Sequence, residues 1–297
     1  MLKKRITGSV GFIMLLVCLG CSSSARFLGI PPARRFTVMP FATSRHFNVD
    51  RVLTDRTMGL HWPSIHRARA GEQPDNSIKG IELAAQAGAP LIEIELRRTD
   101  AGALILFHDS SVRSTNATIP DRLSGRKIES LSDEELGTVR LRGRDQLSIP
   151  TFRQVLDAVK PYNSALELDL KSESPQRIDA LVAEAQSSAQ IPQIVVQCHK
   201  LETLAYVRGT FPKIMTIFRA KSFAELQQSY QLLPQIVEFE GWYAPEAIAE
   251  AHFHGIKVLV SVAGSIKDNS FSWKAYFSEG VDIIRTNRLE AMIEFFS

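Results

Sequence analysis

Cysteine is scarce. The 297 residues contain three, Cys18, Cys21 and Cys198, too few for a disulfide-stapled fold and without the clustering of a zinc site. No His-x-His pair lies on a strand-like run, which also argues against a zinc hydrolase. Gly-x-Ser-x-Gly, Gly-x-Gly-x-x-Gly and P-loop patterns are absent. A basic excess is missing as well. The formal charge of +3 comes from Lys3, Lys4 and Arg5; without them 32 basic residues face 32 acidic ones. A nucleic-acid binder would keep its positive charge in the folded part. No apolar run reaches the ~20 residues that cross a bilayer as a helix, and no internal repeat is visible.

What is present first is a leader. Lys3-Lys4-Arg5 precedes a short apolar run, Val10–Leu19, and small residues follow, as in a secretory signal peptide. Gly20-Cys21 followed by three serines resembles a bacterial lipobox, although Cys18 stands where leucine is usual. The expectation is a signal over residues 1–20 and a lipid on Cys21 that tethers an exported protein to a membrane of the cell envelope, on its periplasmic or surface side. The alternative is a plain cleaved signal with an incidental cysteine. With Cys21 lipidated, Cys198 has no partner, and the fold must stand on its core. Residues 21–58, with Pro31-Pro32 and several arginines, read as a lipidated tether and prefix.

From Gly59 the remaining 239 residues match the ~250 of a (β/α)8 barrel. Strand-like runs at 61–65, 90–96, 104–107, 165–170, 193–197, 214–218, 236–239, 257–262 and 282–285 alternate with helix-like runs at 76–87, 152–159, 175–187, 201–208, 223–230 and 245–254. Such alternation predicts an α/β fold with parallel strands, a TIM barrel over residues 59–297. Nine strands for an eight-stranded barrel have a local reason. Thr99-Asp100-Ala101-Gly102 is turn chemistry, so 90–96 and 104–107 form a short β-hairpin insertion near strand 2.

In Leu91–Leu96 the period of two puts Glu93 and Glu95 on one face; in Leu166–Lys171 it does the same for Glu167, Asp169 and Lys171. On solvated edge strands these would be surface charges. In a barrel they converge inside, where like charges need a cation between them. Oxygen-only ligands suit Mg2+ or Ca2+. His66-Arg67 and His108-Asp109 fall at strand C-termini, where barrels place catalytic groups. Metal, guanidinium and two imidazoles make a phosphodiester-cleaving set. The other histidines (His46, His61, His199, His252 and His254) read as structural.

The order of motifs resembles the glycerophosphodiester phosphodiesterase family. His66-Arg67-Ala68, Pro74-Asp75-Asn76-Ser77, Glu93-Ile94-Glu95, Thr99-Asp100-Ala101-Gly102, His108-Asp109, Ile149-Pro150-Thr151, Asp169-Leu170-Lys171 and Ile283–Asn287 follow its series. The resemblance implies a TIM barrel that hydrolyses glycerophosphodiesters to glycerol 3-phosphate and an alcohol. It implies His66 and His108 as the acid/base pair, Glu93, Glu95 and Asp169 as ligands of a divalent cation, and Arg67 and Lys171 as phosphate contacts. The partner expected is a small glycerophosphodiester or phospholipid head group, not nucleic acid. Glu95 stands where the family has Asp, Asp75 and Asp169 where it has Glu, and Ala68 where it has Gly. Val260 replaces a tryptophan, and Cys198-His199 a Ser-Phe pair; Trp242-Tyr243 could supply an aromatic wall or pack against a helix. These departures motivate an alternative, a non-catalytic ligand-binding lipoprotein on the same barrel. A barrel glycosidase with paired carboxylates would leave both histidines without a task.

Overall fold

Short apolar runs with a period of two, each followed by a capped helix with one apolar stripe, can bury both faces of a sheet only by wrapping it in helices. The computed structural model describes residues 61–296 apart from 116, 144 and 240–243. Its strands are β1 (Trp62–Ile65), β2 (Leu91–Arg98), β3 (Leu104–Leu106), β4 (Ala117–Thr118), β5 (Arg140–Leu141), β6 (Ala165–Leu170), β7 (Ile194–Cys198), β8 (Met215–Ala220), β9 (Ile236–Phe239), β10 (Lys257–Ser261) and β11 (Ile283–Thr286). The helices are α1 (Ile78–Gln86), α2 (Asp133–Leu136), α3 (Phe152–Val159), α4 (Pro175–Ser187), α5 (Leu201–Thr210), α6 (Phe223–Ser229), α7 (Pro245–Phe253), α8 (Ser270–Ser278) and α9 (Leu289–Phe296).

The order β1-β11-β10-β9-β8-β7-β6-β2, closed by β1 pairing with β2, is a closed barrel of eight parallel strands. Strand β3 lies outside it, antiparallel to β2 from Leu96↔Leu106 to Arg98↔Leu104, so the hairpin accounts for the ninth strand. Helix starts are set by side chains that take an otherwise unpaired backbone N–H. Ser77 accepts from Gly80, and Thr151 and Gln154 form a capping box at α3.

Leucine and isoleucine on the outward face of β2 and β6 (Ile92, Ile94, Leu166, Leu168) belong to the main core under the helices. The interior is layered. Trp62, Leu91, Val195, Ile217, Ile236 and Ile283 pack at the N-terminal end of the strands. Above them lies a polar layer around Arg285, which donates to Glu238 Oε1 at 2.7 Å, to Gln197 Oε1 at 3.3 Å and to Glu167. Ser64 donates to the other oxygen of Glu167 at 2.7 Å. Burial opposes the charge on Arg285, but Glu167, Glu238 and Glu93 outweigh it and hold its pKa above the ordinary value.

Two features depart from the sequence expectations. The hairpin leads into a larger excursion, in which Val112, Leu123, Ile128, Val139 and Leu141 form a small core with Phe107 and β4 pairs with β5. Helices α8 and α9 were not anticipated. Val260, which replaces the family's tryptophan, packs in the outer core, and its neighbour Ser261 is exposed at the strand end. The leader, Cys21 and the 21–58 tether lie outside the described residues, as does Trp242-Tyr243. Among the described residues no helix is long and apolar enough to cross a membrane.

Removing the guanidinium would strand two buried carboxylates. Arg285→Met should destabilise the protein by ~3–5 kcal/mol, as breaking a buried ion pair does. A shift of the urea midpoint measures it; an unchanged midpoint would contradict the layer's structural role.

Candidate active site

The register of β2 on β6 sets Glu93 beside Glu167 and Glu95 beside Asp169. All four side chains therefore point into the barrel, with Glu95 and Asp169 nearer the C-terminal end of the strands. Glu167 is absorbed by Arg285 and Ser64. The other three form the site: Glu93, Glu95 and Asp169 each bring a carboxylate oxygen to within 4.8 Å of the others, and all are buried.

After β1 the chain turns sharply. Arg67 and Ala68 both have left-handed backbones, φ 54° and 53°, conformations that cost an L-residue roughly 1–2 kcal/mol. The turn aims the Arg67 backbone N–H at Glu93 Oε2, 2.6 Å away. It also brings the Ala68 carbonyl oxygen to 2.5 Å from where a Cβ on Gly80 would stand, so this helix position must be glycine. Asn76, buried and also left-handed, clamps Glu95: its Nδ2 donates to Glu95 Oε2 and its Oδ1 accepts from the Glu95 backbone, both at 3.0 Å.

Two cations reach the carboxylates. Lys171 Nζ lies 2.8 Å from Glu95 and 2.7 Å from Asp169, and Arg67 Nε lies 3.1 Å from Glu95. Burial by itself would raise the Asp169 pKa, but hydrogen bonds and charge from His199 and Lys171 hold it well below the usual carboxylate range. Burial also works against the charge on Lys171, and Asp169 and Glu95 overcome it. Glu93 has no such relief. Burial, with Glu95, Glu167 and Asp169 close by, outweighs the pull of Arg285 and pushes its pKa up to about 8. Two cations thus answer two carboxylates, and the third keeps a proton. Three oxygen ligands short of one positive charge fit a hard divalent cation.

Both predicted histidines are at the mouth. His66 Nδ1 lies 2.8 Å from Asn287 Oδ1; with that oxygen accepting, the proton sits on Nδ1 and Nε2 carries the lone pair. Burial, with Arg67 and Arg285 close, lowers the His66 pKa to about 4 despite the Asn287 hydrogen bond and the charge of Glu95. His66 is therefore neutral at pH 7. His108 is 43% exposed, pairs through Nδ1 with Asp109 at 2.6 Å and turns Nε2 toward Glu95 Oε1 at 3.5 Å. A cavity of about 560 Å3 opens beside them, lined by Arg67, Arg69, Asp75, Asn76, Phe107 and His108 among others.

The structure brings all seven predicted residues together and adds three. His199, expected to be structural, places Nε2 2.9 Å from Asp169 Oδ1, while Glu173 holds its backbone N–H at 2.6 Å. The signal was its parity with Val195 and Gln197, one residue beyond β7. Asn76 and Asn287 had no signal beyond their place in the motifs. The remaining described histidines are structural: His61 stacks on Phe277, His252 pairs with Asp282 at 2.7 Å and His254 stacks on Tyr230. His46 lies outside the described residues.

A family model described as the glycerophosphoryl diester phosphodiesterase family matches residues 66–282. Glycerophosphodiester phosphodiesterase 1 of Bos taurus is 27% identical over 191 residues, 61% of this chain and 57% of that protein. Glycerophosphodiester phosphodiesterase of Bacillus subtilis is 26% identical over 213 residues, 64% of this chain and 69% of that protein. The matches thus span between about half and about two thirds of these relatives. An Oleispira antarctica phosphodiesterase, solved in complex with the product sn-glycerol-3-phosphate, shares the fold with a TM-score of 0.65 at 17% identity, covering 79% of this chain and 96% of that one.

Since a ligating carboxylate must be ionised, cation binding should expel the proton held by Glu93. Affinity for Mg2+ or Ca2+ should fall up to about tenfold per pH unit as the pH drops below about 8. Calorimetry in buffers of different ionisation enthalpy should count about one proton released. Binding insensitive to pH would contradict a protonated Glu93, and unchanged binding by Glu93→Gln would remove it from the ligand set.

Proposed function

The chain belongs to the glycerophosphoryl diester phosphodiesterase family, and on that footing we propose that it is a metal-dependent phosphodiesterase, releasing glycerol 3-phosphate and an alcohol from glycerophosphodiesters. The observation that carries this reading is the buried Glu93–Glu95–Asp169 cluster with neutral His66 on one side and His108 on the other. Glu93, Glu95 and Asp169 would hold a divalent cation, which would supply positive charge to the phosphoryl oxygens. Lys171 and Arg67, which reach the same carboxylates, would be the cationic side chains that meet the phosphate.

His66 Nε2 takes the proton of the glycerol hydroxyl next to the diester. That oxygen bonds to phosphorus, the bond to the alcohol breaks, and His108 gives a proton to the departing oxygen. Water then opens the cyclic phosphate with the roles reversed: His108 takes its proton and His66 returns one to the glycerol oxygen. Asn287 keeps the Nδ1 proton of His66 in place, and Asp109 does the same for His108. The cavity beside His108, at about 560 Å3, lies within the usual range for small-molecule sites and receives the alcohol moiety. Lipid attachment through Cys21 to a membrane of the bacterial cell envelope, on its periplasmic or surface side, remains part of the proposal, supported by the leader sequence alone.

The full chain, incubated with glycerophosphocholine and other glycerophosphodiesters, should release glycerol 3-phosphate with Mg2+ or Ca2+ and stop with EDTA. His66→Ala and His108→Ala should each lower kcat by ~10²–10⁴-fold with unchanged circular dichroism. Tight binding of these diesters without turnover would favour a binding protein, and full activity in either variant would refute the two-histidine mechanism.

A further inference from the structure

Two large apolar side chains stand in water at the rim of the mouth. Ile266 is 96% exposed and Phe271 84%. Ile266 lies in the loop from β10 to α8 and Phe271 in the first turn of α8, at the strand end that carries Glu95, Asp169 and His66.

The loop is firmly held. Asp268, buried, accepts from Trp273 Nε1 at 3.2 Å, from Thr286 Oγ1 at 2.5 Å and from the Asn287 backbone at 2.9 Å. Arg288 donates to the Asp268 carbonyl at 3.1 Å. Asn269 caps α8 through Ser272 N–H at 3.0 Å and returns Nδ2 to the Ile266 carbonyl at 2.8 Å. Asn287, which binds this loop, is also the residue that orients His66. The apolar tips are thus fixed to the catalytic framework, with their side chains turned outward.

Charge selects the occupant. Residues 262–274 contain a single acid, Asp268, and it is turned inward; Lys267 and Lys274 are exposed. Apolar side chains flanked by lysines, with no outward acid, are complementary to a layer with an apolar interior and anionic head groups. We propose that this rim docks the barrel mouth on an anionic lipid surface, with Ile266 and Phe271 entering the interfacial layer and Lys267 and Lys274 meeting lipid phosphates.

The test uses the full chain with Phe271→Trp at the rim or Phe253→Trp at the C-terminal end of α7. Phe253 is 85% exposed and lies at the opposite end of the barrel. Vesicles of phosphatidylcholine and phosphatidylglycerol carry brominated acyl chains. The indole introduced by Phe271→Trp should be quenched and that introduced by Phe253→Trp should not. An Ile266→Ser/Phe271→Ser chain should partition onto these vesicles roughly tenfold more weakly, and Lys267→Glu/Lys274→Glu should lose the preference for anionic over neutral vesicles. Equal quenching at the two positions, or none while the chain sediments with vesicles, would overturn the proposal, since attachment would then come from elsewhere. A dimer that Ile266→Ser/Phe271→Ser converts to monomer would overturn it too, assigning the rim to a second copy. Neither readout depends on turnover.

Discussion

Three carboxylates cannot share a buried space while all are ionised unless positive charge stands among them, and the architecture of the mouth follows from that constraint. Lys171 lies against Glu95 and Asp169, and Arg67 against Glu95. Glu93, left with a backbone N–H from Arg67, is pushed up toward neutrality. Each positioning device acts on this cluster: the left-handed turn at Arg67 and Ala68, the two-point clamp of Asn76 on Glu95, the His199 ring on Asp169. A divalent cation would be the economical answer, replacing one proton and releasing two side chains toward an anionic substrate.

Beneath the cluster the barrel gives up part of its apolar interior to a second charged layer. Arg285 between Glu167 and Glu238 contributes little net stability compared with an apolar layer, since desolvation offsets most of the attraction. It does fix Glu167 away from the mouth. Without it, a fourth carboxylate would compete beside Glu93. Stability rests instead on the outer core between strands and helices, which leaves the C-terminal end of the barrel interior free for chemistry. The same strand end also carries the loop whose buried Asp268 joins Asn287 and His66 to the exposed rim.

Much of this was legible because a period of two is a strong local signal. Glu93/Glu95 and Glu167/Asp169 show it against leucine and isoleucine partners, and the Thr99–Gly102 turn explained the extra strand. His66 and His108 stood out at strand ends beside charged neighbours. What escaped depended on long-range pairing. Arg285 meets Glu167 across 118 residues, and nothing local marks either as a partner of the other. His199 showed only its parity after β7. Helix α8 is built from Phe, Trp, Tyr and Ser, poor helix formers; burial of Trp273 and Phe277 decides it. Val260, which stands where the motif series has a tryptophan, is turned into the outer core by strand parity. The excursion over 107–149 lacks long periodic runs, and its small core becomes visible only once the chain has folded back.

Glu93, Glu95 and Asp169 are proposed to hold one divalent cation jointly. Anomalous diffraction from crystals soaked in Mn2+ tests it directly. One strong peak is expected, with an oxygen of each carboxylate at about 2.1–2.5 Å and with Lys171 Nζ drawn away from Glu95 and Asp169. No peak at millimolar Mn2+, or one ligated by other residues while Lys171 keeps both carboxylates, would contradict it.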